Sequence, residues 1–141
     1  MKILFDTNIL ISNFFLKSRL VTEKLAAIVA INDCYICDYS INEFAIKIFT
    51  KFSKTKEDLS KNIEKASTLM FDNKMYILLT SSKNDCIYKT RDPKDDPILN
   101  TAINNKMDLL ITSDNDLLKY QTNKIKIQKL SDVLIHSVWS N

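Results

Sequence analysis

Glycine is absent from this chain of 141 residues, and proline occurs only twice. The loops that cradle phosphate in nucleotide-binding proteins need glycine, because their backbone takes positive φ angles and approaches the ligand closely. The absence of glycine therefore excludes a Walker-type or dinucleotide-binding loop. Any phosphate chemistry in this chain must depend on side chains.

Histidine and cysteine are also scarce, with one His and three Cys. Cys34 and Cys37 have the C-x-x-C spacing of a zinc or redox pair, but only Cys86 and His136 could complete a zinc site. Those two residues belong to other predicted elements. We therefore interpret the cysteines as buried, reduced thiols, and we expect His136 to have no catalytic role.

Long apolar runs are missing as well. The apolar run at the start, Met1 to Phe5, is too short for a signal peptide. No stretch approaches the roughly 20 apolar residues that a membrane span needs. We expect a cytoplasmic protein.

The chain does contain enough apolar residues for a core, because 45% of its residues are hydrophobic. Its length is that of one ordinary domain, which we assign to residues 1–141. The formal net charge is only +3, so the overall charge neither requires nor excludes nucleic acid as a partner.

Apolar periodicity predicts strands that alternate with helices, which is typical of a parallel sheet covered on both faces. Residues 81–95 are polar and predict a loop with at most a short turn. The predicted strands are 2–6, 34–39, 76–80, 109–113 and 124–129, and the predicted helices are 9–16, 21–31, 41–52, 55–71, 97–106, 115–120 and 131–139. The fold class is α/β.

Acidic residues fall where predicted strands end. Asp6 closes the first strand, Glu43 follows the second, and Asp114 closes the strand at 109–113, while Asp95 and Asp96 open the helix before that strand. Open parallel sheets bind ligands beyond the carboxyl ends of their strands. A topology that sets these strand ends side by side would gather four or five carboxylates in one pocket.

Each acidic residue also has a purely structural interpretation as a helix cap. Asp6 and Asp114 precede predicted helices, Ser40 to Glu43 fits a capping box, and Asp96 with Pro97 fits the first positions of a helix. Taken together, however, converging carboxylates repel one another unless a cation neutralises them. An all-oxygen cluster favours hard cations, so convergence would indicate Mg2+ or Mn2+.

Four segments of the chain resemble the PIN-domain family, which includes the VapC-type toxins of toxin–antitoxin pairs. The segments are Leu4-Phe5-Asp6-Thr7-Asn8-Ile9-Leu10, Ser40-Ile41-Asn42-Glu43-Phe44, Arg91-Asp92-Pro93-Lys94-Asp95-Asp96-Pro97-Ile98-Leu99-Asn100-Thr101-Ala102 and Leu110-Ile111-Thr112-Ser113-Asp114-Asn115-Asp116-Leu117-Leu118. The resemblance implies a three-layer α/β/α sandwich around a mostly parallel sheet of about five strands. It also implies endoribonuclease activity.

The resemblance assigns catalytic and metal-binding roles position by position. The four family carboxylates fall on Asp6, Glu43, Asp95 and Asp114. Asp96 is a close rival of Asp95, and Asp116 is a further candidate ligand. The small polar residues that the family places around the metal match Asn8, Thr112 and Ser113, although relatives often have Gly or Asn where this chain has Ser113.

The hypothesis is hydrolysis of RNA phosphodiester bonds with one or two Mg2+ or Mn2+ ions, in which Glu43 orients the attacking water or accepts its proton. Basic residues near the motifs are candidates for RNA phosphate contacts. These are Lys47, Lys51, Lys89, Arg91 and Lys94. An ordinary solvated surface accounts for such lysines equally well.

The resemblance further implies a homodimer and a protein antitoxin that occludes the site. Two other functions stay open at the level of sequence. One is a housekeeping PIN nuclease in RNA processing, and the other is an inactive PIN fold that only binds RNA. The complete set of carboxylates argues against an inactive fold.

Overall fold

The computed structural model describes residues 1–6, 8–9, 19–47, 50, 54–67, 76–82 and 86–134. Five strands form one sheet: β1 (Lys2–Phe5), β2 (Asp33–Cys37), β3 (Ile77–Leu79), β4 (Leu109–Ile111) and β5 (Lys126–Gln128). The helices are α1 (Arg19–Ile31), α2 (Asp38–Lys47), α3 (Lys56–Ser67), α4 (Asp96–Asn104) and α5 (Asn115–Leu118), with 3-10 turns at Pro93–Asp95 and Leu130–Asp132.

The strands run in the order β3-β2-β1-β4-β5, and all four neighbouring pairs are parallel. From the central strand β1 the chain passes first to β2 on one side and later returns to β4 on the other. The strand order therefore reverses between β1 and β4, and a crevice opens beyond their carboxyl ends. Phe5 pairs with Ile111 in register, so Asp6 and Thr112 emerge together at that crevice.

Two apolar clusters pack on opposite faces of the sheet, because successive strand residues point to opposite sides. Ile3 and Phe5 of β1 join Leu25 and Ile28 of α1 in the first cluster. Leu4, between them, joins the second cluster with α4, including Ile98, Leu99 and Ala102. Helices thus cover both faces, and the expected three-layer α/β/α sandwich with a parallel five-stranded sheet is confirmed.

Cys34 and Cys37 lie three residues apart on β2 and fall in different clusters, on opposite faces of the sheet. They are free and buried, so their spacing does not make a chelating pair. Burial raises the pKa of the Cys34 thiol to about 12 and also raises that of Cys37. Both thiols are therefore protonated at neutral pH.

The second strand and the helix after it were predicted with wrong boundaries. The strand ends at Cys37 rather than Tyr39, and α2 begins at Asp38 rather than residue 41. A tertiary contact accounts for the early start, because the Asp38 side chain accepts a hydrogen bond from the backbone N–H of Ser81, just beyond β3, at 2.9 Å. The hydroxyl of Ser81 also bonds to Asp38 and accepts from the Tyr39 N–H.

The start of the predicted helix at 131–139 is also wrong. Leu130–Asp132 form a 3-10 turn, and Val133 is extended. Residues 135–139 lie outside the described residues. Most of the predicted helix at 9–16 lies outside them too, although Asn8 and Ile9 are helical. Within the described part of the chain, no helix is long and apolar enough to cross a membrane.

Candidate metal centre

The crevice between β1 and β4 contains two of the predicted acids, held by one threonine. Asp6 is 5% exposed, and its Oδ2 accepts a hydrogen bond of 2.7 Å from the Thr112 hydroxyl. The same hydroxyl accepts from the Asp114 backbone N–H at 3.0 Å. Thr112 is fully buried, so it fixes the Asp6 carboxylate and the chain that leads to Asp114 relative to each other.

Asp95 has a strongly raised carboxyl pKa in this region. It is 8% exposed, at the junction of the 3-10 turn and α4. Burial, then the charge of and contact with the Asp114 carboxylate, then the charges of Asp6 and Asp92, raise its pKa to about 7. The acids that the sequence placed at the ends of β1 and β4 are thus electrostatic neighbours of Asp95.

Asp92 and Asp116 join Asp95 in a cluster with metal-ligand spacing. Each of the three offers a carboxylate oxygen, and these oxygens lie within 4.8 Å of one another. Asp116 was predicted as a further candidate ligand, whereas Asp92 was not. Asp92 caps the 3-10 turn by accepting from the Lys94 N–H at 3.0 Å. That turn brings Asp92 close to Asp95, and the sequence carries no periodic signal for so short a turn.

Asp96 has a different environment from its neighbour Asp95. Its Oδ1 accepts from the backbone N–H of Thr90 at 2.8 Å and from the Thr90 hydroxyl at 2.9 Å. Its Oδ2 lies 3.9 Å from the Nζ atom of Lys89. Asp96 therefore anchors the loop before the 3-10 turn, and the geometry favours Asp95 over Asp96 as the acid that faces the cluster.

Glu43 lies on α2, half-buried, on the side of the site next to Tyr39. Partial burial, followed by the negative charges of Glu43, Asp95, Asp92 and Asp6, raises the pKa of the Tyr39 phenol to about 12. The pKa of this one phenol is therefore raised by the charges of three predicted ligands and of Asp92. Phe44, the next residue on α2, is buried in the first cluster, which orients the helix on the sheet.

The remaining predicted site residues vary in their surroundings. Asn8 accepts a hydrogen bond of 2.7 Å from the Nζ atom of Lys47, which links the end of β1 to α2. Ser113, predicted to lie around the metal, is exposed. Among the basic candidates, Arg91 lies 3.8 Å from an oxygen of Asp116. Lys94 is exposed, and Lys51 lies outside the described residues.

Of the predicted helix caps, Asp114 is confirmed, whereas those at Ser40 and Asp96 are wrong. Asp114 does cap α5, because its Oδ1 accepts from the N–H groups of Asp116 and Leu117. Ser40 lies inside α2 and is not an N-cap, so the capping box is wrong. Asp96 likewise lies inside α4, whose N-cap is Asp95, and the Asp95 side chain makes no capping hydrogen bond.

The donor set fits a hard divalent cation. The Oδ2 atom of Asp95 is buried and has no hydrogen-bond partner, a state shared among the described residues only by the Tyr76 hydroxyl. A buried carboxylate oxygen without a partner is costly in free energy, and a cation would supply the missing interaction. The neighbouring groups are oxygens from carboxylates, which Mg2+ and Mn2+ prefer.

A family model described as PIN domain matches residues 2–116, which is most of the chain. The chain belongs to the PIN-domain family. PIN domains are nucleases that generally use a divalent metal ion, and membership supports nuclease activity of this chain.

Comparison with solved structures agrees with the fold of this PIN domain. A chain of the crystal structure of VapBC2 from Rickettsia felis bound to a DNA fragment from their promoter is similar, with a TM-score of 0.69. The two sequences are 14% identical, and the match covers 92% of this chain and 98% of that chain. At that identity the likeness concerns the fold alone. No curated protein matches the sequence.

Proposed function

We propose that this PIN domain is an endoribonuclease that depends on Mg2+ or Mn2+. The observation that carries the proposal is the buried Oδ2 atom of Asp95, which lacks a partner while other carboxylates surround Asp95. Such an arrangement is unfavourable in the protein alone and favourable around a cation. Its position beyond the carboxyl ends of β1 and β4 is where open α/β sheets bind ligands.

The metal would be held by Asp6, Asp95 and Asp114. Glu43 lies beside these ligands on α2, and Asp92 and Asp116 lie beside them on the loop side. The bound ion would acidify a water molecule and stabilise negative charge that develops on the phosphate. Thr112 keeps the Asp6 carboxylate in one orientation through its 2.7 Å hydrogen bond. Glu43 is the candidate to orient the attacking water and accept its proton.

Family membership and the basic side chains beside the acids support a nucleic-acid substrate, and the resemblance to VapC-type toxins favours RNA. Lys89 and Arg91 are exposed and lie beside Asp96 and Asp116, respectively. Arginine and lysine at such positions neutralise phosphates along a strand. The net charge of +3 is small, so this local arrangement carries the argument more than the total charge.

We further propose that the nuclease is the toxin of a toxin–antitoxin pair, acting in the cytoplasm as a homodimer that an antitoxin inhibits. Support comes from the sequence motifs and from the fold shared with a chain of the VapBC2 complex. A toxin that is overproduced without its antitoxin acts unopposed. Induced expression of the wild-type chain should therefore arrest bacterial growth, whereas the Asp6→Asn variant should not; growth unaffected by the active enzyme would contradict the toxin role.

The enzymatic proposal is tested with purified protein, labelled structured RNA and matched single-stranded DNA. Reactions contain Mg2+, Mn2+ or EDTA, and Asp6→Asn is the control variant. We expect cleavage of RNA with either metal, none with EDTA, and none by the control. Preferential cleavage of the DNA would refute RNA specificity, and cleavage in EDTA would refute metal dependence.

A further inference from the structure

A surface cavity of about 370 Å3 lies beside the acidic cluster. The residues that matter in its lining are Lys89, Arg91, Asp116, Lys119 and Tyr120. Its volume is near the lower end for pockets that hold small molecules, which leaves room for about one nucleotide. Neither Lys119 nor Tyr120 was singled out in the sequence, because they follow the last acidic motif.

Asp116 belongs both to this cavity and to the cluster with Asp92 and Asp95. The cavity therefore begins where the candidate metal centre ends. On one side of Asp116 the groups are carboxylates, and on the other side they include three cationic side chains. That change of charge suits a nucleic-acid strand whose reacting phosphate lies at a cation and whose next phosphate lies among basic residues.

The basic side chains of the cavity are accessible to a ligand. Arg91 is 88% exposed and its Nε atom lies 3.8 Å from Asp116, while Lys89 lies 3.9 Å from Asp96. Ion pairs this long, in which the basic partner is exposed, contribute little free energy, so a phosphate can replace them. Lys119 is exposed, and no acidic side chain pairs with it in the described part of the chain.

Tyr120 gives the cavity an aromatic surface in a fixed position. The residue is half-buried and packs against the second apolar cluster. Its backbone N–H donates to the Leu117 carbonyl at 3.1 Å. A ring held in this way loses little conformational entropy on binding, and stacking of a nucleobase on it is favourable for any base.

We propose that this cavity binds the nucleotide next to the scissile phosphate of a single-stranded RNA segment. The phosphate of this neighbouring nucleotide is contacted by Lys119, Arg91 and Lys89. Its base stacks on the ring of Tyr120. The inference rests on the proposed ribonuclease function and adds a substrate subsite to it.

The test measures binding without cleavage. A fluorescent, uridine-rich single-stranded RNA is titrated with protein in EDTA, by anisotropy, over a series of salt concentrations. The variants are Lys119→Glu, Tyr120→Leu and Tyr120→Phe. Lys61→Glu is the matched control, because Lys61 is an exposed residue of α3 outside the cavity lining and its substitution changes the charge equally.

We expect Lys119→Glu to weaken binding about tenfold and to lower the slope of log Kd against log salt by about 0.7, the value for one phosphate contact on a single strand. Tyr120→Leu should weaken binding about tenfold with no change in that slope, because stacking is not ionic. Tyr120→Phe should bind like the wild type, and Lys61→Glu should stay within about twofold of it. Circular dichroism checks that every variant is folded.

Equal effects of Lys119→Glu and Lys61→Glu would overturn the subsite, because they would indicate general charge attraction. An unchanged affinity of Tyr120→Leu would also overturn it. If the predicted binding pattern appears but wild-type protein cleaves no RNA with metal, the cavity is an RNA-binding site and the nuclease proposal fails. If cleavage is normal while all variants bind alike, the subsite fails and the nuclease stands.

Discussion

Asp95 and Asp96 are adjacent in the chain and equally buried, yet their carboxylates have opposite surroundings. Asp96 is satisfied by Thr90 and Lys89, whereas one oxygen of Asp95 has no partner. The family resemblance placed the third carboxylate on Asp95 and left Asp96 as a close rival. Their difference depends on the loop at 88–92, whose path is set by hydrogen bonds to Asp96 and Asn100 of α4 rather than by local propensity.

At the residue scale, we predict that Asp95→Asn stabilises the metal-free fold. Because the folded-state pKa of Asp95 is raised to about 7, its ionisation opposes folding above its ordinary pKa. The variant should exceed the wild type in free energy of unfolding by about 1–3 kcal/mol at pH 8. The difference should shrink as the pH falls from 7 towards 4, because the folded-state carboxyl becomes protonated and the cost of ionising it disappears.

Urea denaturation in EDTA at pH 8 and pH 4.5 measures this difference. When Mn2+ replaces EDTA at pH 8, it should stabilise the wild type and leave Asp95→Asn unchanged, because a ligand that binds only the folded state raises its stability. A variant less stable than the wild type at pH 8 would contradict the electrostatic explanation.

Thr112→Val tests how the Asp6 carboxylate is held. Valine keeps the shape of threonine but loses the hydroxyl that donates to Asp6 and accepts from the Asp114 N–H. We predict a loss of about 10–100-fold in Mn2+ affinity, measured by calorimetry, because groups that orient ligands have effects of that size. Thr112→Ser retains the hydroxyl and should bind nearly as the wild type does; equal affinity of the valine variant would exclude this role.

At the scale of elements, the strands and helices around the site were predicted best where the spacing of apolar residues fits a strand or a helix clearly. The strand β4 is short and fully apolar, and β1 is apolar after Lys2. Helix α4 has Pro97 in its first turn and Ile98 and Ala102 on its buried face. The start of α2 was missed because the contact of Asp38 with Ser81 spans more than 40 residues. The 3-10 turn that positions Asp92 is too short to leave a periodic signal.

Asn100 of α4 holds the loop that leads to the acidic cluster. It is fully buried, its Oδ1 accepts from the Tyr88 N–H, and its Nδ2 donates to the carbonyls of Tyr88 and Asp96. We predict that Asn100→Ala lowers the free energy of unfolding by about 2–4 kcal/mol, because it leaves the partly buried N–H and carbonyl groups of Tyr88 unpaired.

Urea denaturation followed by circular dichroism measures this loss. The control is Asn104→Ala on the exposed side of the same helix, where the side-chain hydrogen bond to Ser82 is exposed to solvent. Its cost should be below about 1 kcal/mol. Similar costs for the two variants would show that Asn100 does not anchor the loop.

At the scale of the whole molecule, several large apolar side chains are exposed, including Leu20, Ile46, Ile77, Leu78, Ile87 and Leu134. Ile77 and Leu78 belong to β3, an edge strand of the sheet. An exposed edge strand with apolar side chains is a surface through which sheets pair with other chains. The sequence predicted association only through the family resemblance, because exposure depends on how the helices cover the sheet.

We predict a homodimer, with a mass of twice 16.3 kDa by sedimentation equilibrium at micromolar concentration. Dilution should shift the average mass towards the monomer if the interface is of moderate affinity. A mass of 16.3 kDa at every concentration would refute the dimer. It would leave the nuclease proposal intact, because every residue proposed to hold the metal lies on one chain.

The most direct test of the acidic centre compares Asp95→Asn with Asp96→Asn. For each variant, the same preparation is used to measure Mn2+ binding by electron paramagnetic resonance and to measure RNA cleavage. Asp95→Asn should lose both, since it removes the charged oxygen that has no other partner. Asp96→Asn should keep both within a few-fold, because its amide oxygen still accepts from Thr90. RNA cleavage by Asp95→Asn at the wild-type rate, or loss of Mn2+ binding in Asp96→Asn alone, would contradict a metal centre built on Asp95.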